Sequence, residues 1–446
     1  MRKLRWLVAV TVIMLVAAAC GGDDDTADTT GDAGGIADFT LAGAPRAAEA
    51  DALNGFLQVY NEATGSSIDY VGTADFETQL RVRVEGGDPP DVAFTPQPAS
   101  ICEFADTGQL ASLEDMGFDI AEMEANHSKF WMDLGVCEDG NHYGIPWFPN
   151  FKSVVFYHAA AFEAGGYEIP ETYEDMVALS ARMVADGQTP WCFGFESGGA
   201  TGWPGTDWIE DILLRQEGSE FYTQWYTHEV PFNDPAVVEA IETFGEILQG
   251  EGFVLGGAAN VSGINFQDSP LPLFDDPPGC VMLKQGSFLT NFFPADAPED
   301  LIETFPFPTI EGNGGAMGGG DTLIVFNDSA ANVEAIRDWI TPEWQCVLAS
   351  PGGGTASEHG GHGVAGIERL PGHKDVDPEC YETEASKQFA EVITEALAAN
   401  TFAFDASDLM PSAVGQGSFW VGMVDFAQGT SAQDVADAVE ASWPAG

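Results

Sequence analysis

The sequence predicts an α/β fold built on doubly wound sheets, and three observations carry that expectation. A β-α-β-α-β run opens the globular part of the chain, a second β/α series begins near Ser153, and the length is 446 residues. At about 100–200 residues per domain, that length predicts two domains or one with large insertions, the first being favoured. The elements follow in order. Phe39-Thr40-Leu41-Ala42 reads as the first strand. Leu53, Phe56, Leu57 and Tyr60 then recur at i, i+3, i+4 and i+7, the stripe of an amphipathic helix that Gly65 ends. Ile68 to Val71 is the second strand, Phe76 to Val84 the second helix, and Asp91-Val92-Ala93-Phe94 the third strand. In open sheets of this kind the loops leaving the carboxyl ends of strands form the ligand crevice. Thr95-Pro96-Gln97-Pro98 is such a loop.

The second series starts with Ser153-Val154-Val155-Phe156-Tyr157 and continues in helices near Tyr173–Val184, Trp208–Arg215 and Ala236–Gln249. A glycine-rich connector, Gly312 to Gly320, leads into a strand from Thr322 to Phe326. Helices near Val333–Ile340, Glu384–Ala399 and Ala432–Ala441 close the chain. The connector and the turn near Asn150 read as crossings between two lobes. The resulting division assigns residues 37–149 and 315–372 to lobe 1, and 150–314 and 373–446 to lobe 2.

Composition excludes some classes of function. With 71 acidic and 15 basic residues the formal charge is −56. A nucleic-acid partner is therefore not expected, since phosphate recognition needs clustered cations. The 45% hydrophobic content describes a chain able to bury a large core.

Arg2, Lys3 and Arg5 precede an apolar run from Trp6 to Ala19, too short for a comfortable membrane span but suited to a signal peptide over residues 1–19. Ala17-Ala18-Ala19 before Cys20 resembles a bacterial lipoprotein box, with Ala17 where such boxes usually have Leu. That resemblance implies lipid attachment at Cys20 and an extracytoplasmic protein held to the membrane by the lipid alone. Residues 20–36, rich in Gly, Asp, Thr and Ala, read as a flexible tether.

Six cysteines remain: Cys102, Cys137, Cys192, Cys280, Cys346 and Cys380. An even number in an exported chain suggests three disulfides with 15 possible connectivities. Proximity favours Cys102 with Cys137 and Cys346 with Cys380, leaving Cys192 with Cys280. No CxxC spacing points to redox or zinc chemistry.

Five ordered segments resemble the substrate-binding proteins of ABC importers, in the α-glucoside-binding branch of the maltose-type group. They are YNEATGSSIDYVGTADFETQL from Tyr60, GGDPPDV from Gly86, KSVVFYHAAAFEAGGYEIPETYEDM from Lys152, TPWCFGFESGGATGWPGTDWIEDILLR from Thr189 and SDLMPSAVGQGSFWVGM from Ser407. The resemblance implies a two-lobed periplasmic-binding-protein fold, type II-like, with a hinge and a sugar held between the lobes. It also implies delivery to a separate permease and ATPase. No phosphate loop of the chain's own contradicts this, because Lys152-Ser153 lacks the glycines that cradle phosphate. A monomer without cofactors is expected.

A pyranose offers a face of C–H groups and a rim of hydroxyls, so its site needs aromatic platforms with donors and acceptors at the edge. The candidate platforms are Trp147, Trp203, Phe292 and Trp420, chosen for their loop-like or segment-joining positions. The polar candidates are Gln97, Asp207, Asp321 and Asp408. Asp207-x-x-Glu210 also reads as a helix capping box. Glu358, His359, His362, His373 and Asp375 could supply metal ligands, but they lie among glycines without helical spacing and read as a solvent loop. The rival function is a secreted glycoside hydrolase, which would also surround a sugar with aromatics and paired carboxylates. A structural or adhesive surface protein is a third reading.

Overall fold

Strand β1 (Asp38–Gly43) and strand β2 (Ser67–Gly72) run parallel from Asp38 opposite Ser67 to Gly43 opposite Gly72. Helix α1 (Ala48–Thr64) makes that crossover, and α2 (Phe76–Glu85) returns the chain to β3 (Val92–Thr95) on the other side of β1. The predicted β-α-β-α-β unit is therefore present. These features belong to a computed structural model that describes residues 36–444 apart from 47, 295, 299, 350–368 and 382. The leader, Cys20, the tether up to Gly35, and Glu358, His359 and His362 lie outside the described residues.

Helices α3 (Pro98–Ala105), α4 (Ile120–His127) and α5 (Lys129–Asp133) precede β4 (Ile145–Phe151). Next come β5 (Val154–His158), α6 (Ala159–Gly165), α7 (Tyr173–Ala185), α8 (Trp203–Tyr226) and α9 (Pro235–Leu248). Strands β6 (Met282–Lys284), β7 (Ile302–Pro306) and β8 (Ala316–Val325) follow, then α10 (Ala330–Trp339) and α11 (Pro342–Ala349). The last elements are α12 (Glu384–Ala399), β9 (Phe402–Phe404), α13 (Ala406–Leu409), α14 (Trp420–Ala427) and α15 (Ala432–Glu440).

The first sheet has the order β2-β1-β3-β8-β4, with β9 also paired to β8. Strand β8 runs antiparallel to both β3 and β4, and its first residues run parallel to β9. The glycine-rich run expected to be a connector is therefore partly strand. Gly318 lies opposite Phe151, and a Cβ there would fall 2.2 Å from the Asn150 carbonyl oxygen. Only glycine lets β8 approach β4 this closely. The two predicted crossings, near Asn150 and Gly312–Gly320, are thus hydrogen-bonded to each other.

The second sheet departs from a doubly wound pattern. It has three strands, β6-β5-β7, and both neighbours of β5 are antiparallel to it. Two of these strands are short and come from turn-rich sequence, so hydrophobic period alone does not flag them.

Each sheet covers its own core. Phe39, Leu41, Phe56, Tyr60 and Trp339 pack beneath the first, and Trp191, Trp208, Trp225 and Phe244 around the second. Helix α9 shows the principle: Val237, Ile241, Phe244 and Leu248 recur at helical spacing and are all buried. Each contributes about 1.5–3 kcal/mol on burial. Disulfides join Cys102 to Cys137, Cys192 to Cys280 and Cys346 to Cys380, the pairing that proximity favours. Among the described residues no helix is long and apolar enough to cross a membrane.

Candidate ligand cleft

The carboxyl ends of β1, β2 and β3 each deliver residues to one cleft: Arg46 and Glu49 after β1, Thr73 and Glu77 after β2, and Gln97 after β3. This is where open α/β sheets place ligands. The paired crossings add Asn150, Lys152 and Asp321. The opposite wall comes from around the second sheet and from the C-terminal segment: Trp203, Phe266, Phe288, Asp405, Asp408 and Trp420.

Trp203 is half-buried at the start of α8, with Phe266 at 5.2 Å and Phe288 at 5.9 Å between ring centroids. Trp420 is buried on the same cleft, and its indole N–H has no partner among the described residues. A glycine makes this wall possible. Gly202 has φ 117°, and a Cβ there would fall 2.0 Å from the Trp420 carbonyl oxygen. Gly202→Ala is therefore expected to lose about 1–3 kcal/mol of stability through overpacking, together with ligand affinity. Denaturant unfolding and calorimetry check both, and a variant equal to wild type in each would show that the wall tolerates the added carbon.

Of the sequence candidates, Gln97, Trp203, Asp321, Asp408 and Trp420 line the cleft together. Three do not. Trp147 is fully buried in the first core, stacked on Phe148 at 4.0 Å and on Trp339 at 5.8 Å, at the bulge where the β4–β8 register shifts between Pro146 and Phe148. Phe292 is half-buried and stands behind the wall, edge-on to Phe266 at 5.6 Å. Asp207 is also off the wall and is not a cap, since α8 begins at Trp203 and places Asp207 inside the helix.

Asp207 serves instead as a buried counter-ion. The Lys152 ammonium lies 3.0 Å from its Oδ1 and also contacts Asp405, a residue 253 positions away. Burial opposes the Lys152 charge, yet Asp207, Asp405 and Asp408 hold its pKa well above the usual lysine value. Burial lifts Asp207 to about 7 despite Lys152. At Asp405 burial is outweighed by Lys152 and by the Ser407 hydroxyl, which donates at 2.7 Å, so its pKa falls below the ordinary carboxylate value. Burial and the Asp405 charge push Asp408 well above it, opposed first by the Lys152 charge and then by the side chain of Gln97. A protonated Asp408 can donate as well as accept a hydrogen bond.

A second ion cluster lies at the β1 and β8 ends. Arg369 donates to Glu49 and to Asp321, each at 3.0 Å. Lys152 and Arg369 thus each hold two carboxylates already, and carboxylates outnumber cations on the wall. An anionic ligand would face this carboxylate excess, with Arg46 as the remaining cation of the lining. Indole and phenyl faces beside polar edges suit a neutral, hydroxyl-rich solute instead.

Sequence reading missed Lys152 as a cleft residue, as well as Arg369, Glu49, Asp405, Phe266 and Phe288. Lys152 carried one usable signal, a lone cation in the otherwise apolar stretch PWFPNFKSVVFY.

The model of the family described as bacterial extracellular solute-binding protein matches residues 42–341. The osmoprotective compounds-binding protein GgtB of Synechocystis sp. is 39% identical over 407 residues, covering 91% of this chain and 92% of that protein. The alpha-glucosides-binding periplasmic protein AglE of Rhizobium meliloti is 35% identical over 414 residues, covering 91% and 86%. Among solved structures, the bacterial solute receptor AcbH superposes with a TM-score of 0.75 at 20% identity, covering 91% of this chain and 98% of that one. Maltose-bound MalE3 of T. maritima superposes with a TM-score of 0.66 at 15% identity, covering 91% and 98%. These distant structures share the α/β periplasmic-binding-protein fold.

Proposed function

This chain belongs to the bacterial extracellular solute-binding protein family, the substrate-binding receptors of ABC importers of sugars and related solutes, and from that premise we propose that its cleft captures an α-glucoside. The observation that carries the reading is the cleft itself, where Trp203, Phe266, Phe288 and Trp420, with Asp408 on their own wall, face Gln97 and the Arg369 cluster. Membership of a receptor family removes the support for hydrolysis. The likeness to AglE favours an α-glucoside, and the likeness to GgtB favours a solute that also protects against osmotic stress. Sucrose satisfies both descriptions, being an α-glucoside and an osmolyte.

Ligand contacts on both walls would favour closure, because only differential contact shifts a conformational equilibrium. The hinge would comprise the crossings at 150–153 and 315–320 together with 402–405; of the expected division, 37–149 with 315–372 and 150–314 with 373–446, we move 373–401 to the first lobe, an assignment supported by the Cys346–Cys380 disulfide and the pairing of β9 with β8. A lipid on Cys20 would keep the receptor beside its permease.

Calorimetry with maltose, trehalose and sucrose tests the proposal. The expected result is 1:1 reversible binding near micromolar, about −8 kcal/mol, with the sugar recovered intact. Absence of heat with all three sugars would overturn the α-glucoside assignment, and released glucose would restore the hydrolase.

A further inference from the structure

We infer that Arg369 is a positioning residue of the cleft: by pairing at once with Glu49 and Asp321 it fixes two carboxylates as acceptors for ligand hydroxyls. The inference rests on the reading that this cleft binds a hydroxyl-rich solute. Its geometry is specific. Nη2 meets Glu49 Oε1 and Nη1 meets Asp321 Oδ2, both at 3.0 Å, so one planar fork spans α1 and β8. The guanidinium carbon stands 4.8 Å from the Phe148 ring centroid, which supports the fork from behind. Stacking and forked donation together orient the group in a way a lysine cannot reproduce.

The two carboxylates keep acceptor capacity. Glu49 Oε2 also accepts from Gln267 Nε2 of the opposite wall at 3.4 Å, so the cluster reaches across the cleft. Among the described residues nothing pairs with the second oxygen of Asp321, which lines the cleft. The surrounding titratable or charged groups are Arg46 before α1, Tyr70 on β2, Glu77 on α2 and Lys152 after β4. Tyr70 donates to the Pro45 carbonyl at 2.8 Å and stays neutral in the physiological range.

Burial pushes both Glu49 and Asp321 above the ordinary carboxylate range, and Arg369 is the foremost influence pulling each back. Removing the guanidinium therefore raises both, and protonated carboxyls lose acceptor strength. The sign follows: an Arg369→Met variant loses binding as pH falls, and recovers part of it as pH rises.

The experiment is calorimetry of full-length protein with maltose, trehalose and sucrose at pH 5.5 and pH 8. Arg369→Met is expected to lose about tenfold in affinity at pH 8 and about a hundredfold at pH 5.5. Arg369→Lys, which keeps the charge without the fork, is expected to lose affinity equally at both. Equal loss at the two pH values in Arg369→Met overturns the inference. If that variant does not fold, Glu49→Gln and Asp321→Asn decide: tenfold loss in either supports the role, and affinity within twofold of wild type in both overturns it. A wild-type protein that binds none of the three sugars overturns the functional reading itself, a result distinct from any variant's behaviour.

Discussion

Lys152→Met is expected to lower the unfolding free energy by about 3–5 kcal/mol, because removing one partner of a buried ion cluster strands the others. Lys152 sits between β4 and β5, Asp207 on α8 and Asp405 just after β9, so a single ammonium ties three separated parts of the chain together. Methionine preserves the length and removes the charge, leaving Asp207 and Asp405 buried without it. The pH dependence gives an independent readout. Asp207 titrates near 7 in the folded protein, above its unfolded value, so the folded state binds more protons in that interval and gains stability as pH falls. Loss of Lys152 raises both carboxyls further, so the penalty is expected to be larger at pH 8 than at pH 5.5. Urea unfolding at the two pH values measures it. A loss below about 1 kcal/mol at pH 8 would show that the cluster is stabilised by other means.

Trp203→Ala is expected to cost about 2–4 kcal/mol of ligand binding, as an aromatic anchor at the centre of a contact surface does. Its ring is partly open to the cleft and framed by Phe266 and Phe288, so truncation removes a platform more than a core. Trp147→Ala is expected to behave in the opposite way, losing about 3–5 kcal/mol of stability through a cavity between Phe148 and Trp339. Calorimetry and denaturant unfolding on the two variants separate these roles. If Trp203→Ala unfolds the protein and leaves affinity unchanged in what remains folded, the ring is core and the cleft assignment fails.

The contrast between these tryptophans shows what the sequence exposes and what it conceals. The opening β-α-β-α-β unit is legible because Leu53, Phe56, Leu57 and Tyr60 hold strict helical spacing and the strands between are short, alternating at Ile68 and Tyr70 and fully buried from Val92 to Thr95. Helix α12 matched its expected bounds, Glu384–Ala399, for the same reason. Trp147 misled because a tryptophan among prolines looks like a loop, and the bulge in the β4–β8 pairing between Pro146 and Phe148, where it sits, leaves no local pattern to read. The glycines at 318–320 look like a linker until that same pairing shows them to be strand. Arg369 and Glu49 were out of reach because 320 residues separate them and neither sits in a local pattern.

The position of β8 also constrains how the molecule comes into being. Residues 316–325 fill the gap between β3 and β4, two strands that are complete by residue 151. Until that late segment emerges, both earlier strands present bare edges, which are templates for aggregation. The first sheet therefore matures only after the whole second sheet has been synthesised. Such long-range closure makes assembly slow and holds the chain unfinished for most of its passage, a state that a secretion route can use and a chaperone must guard.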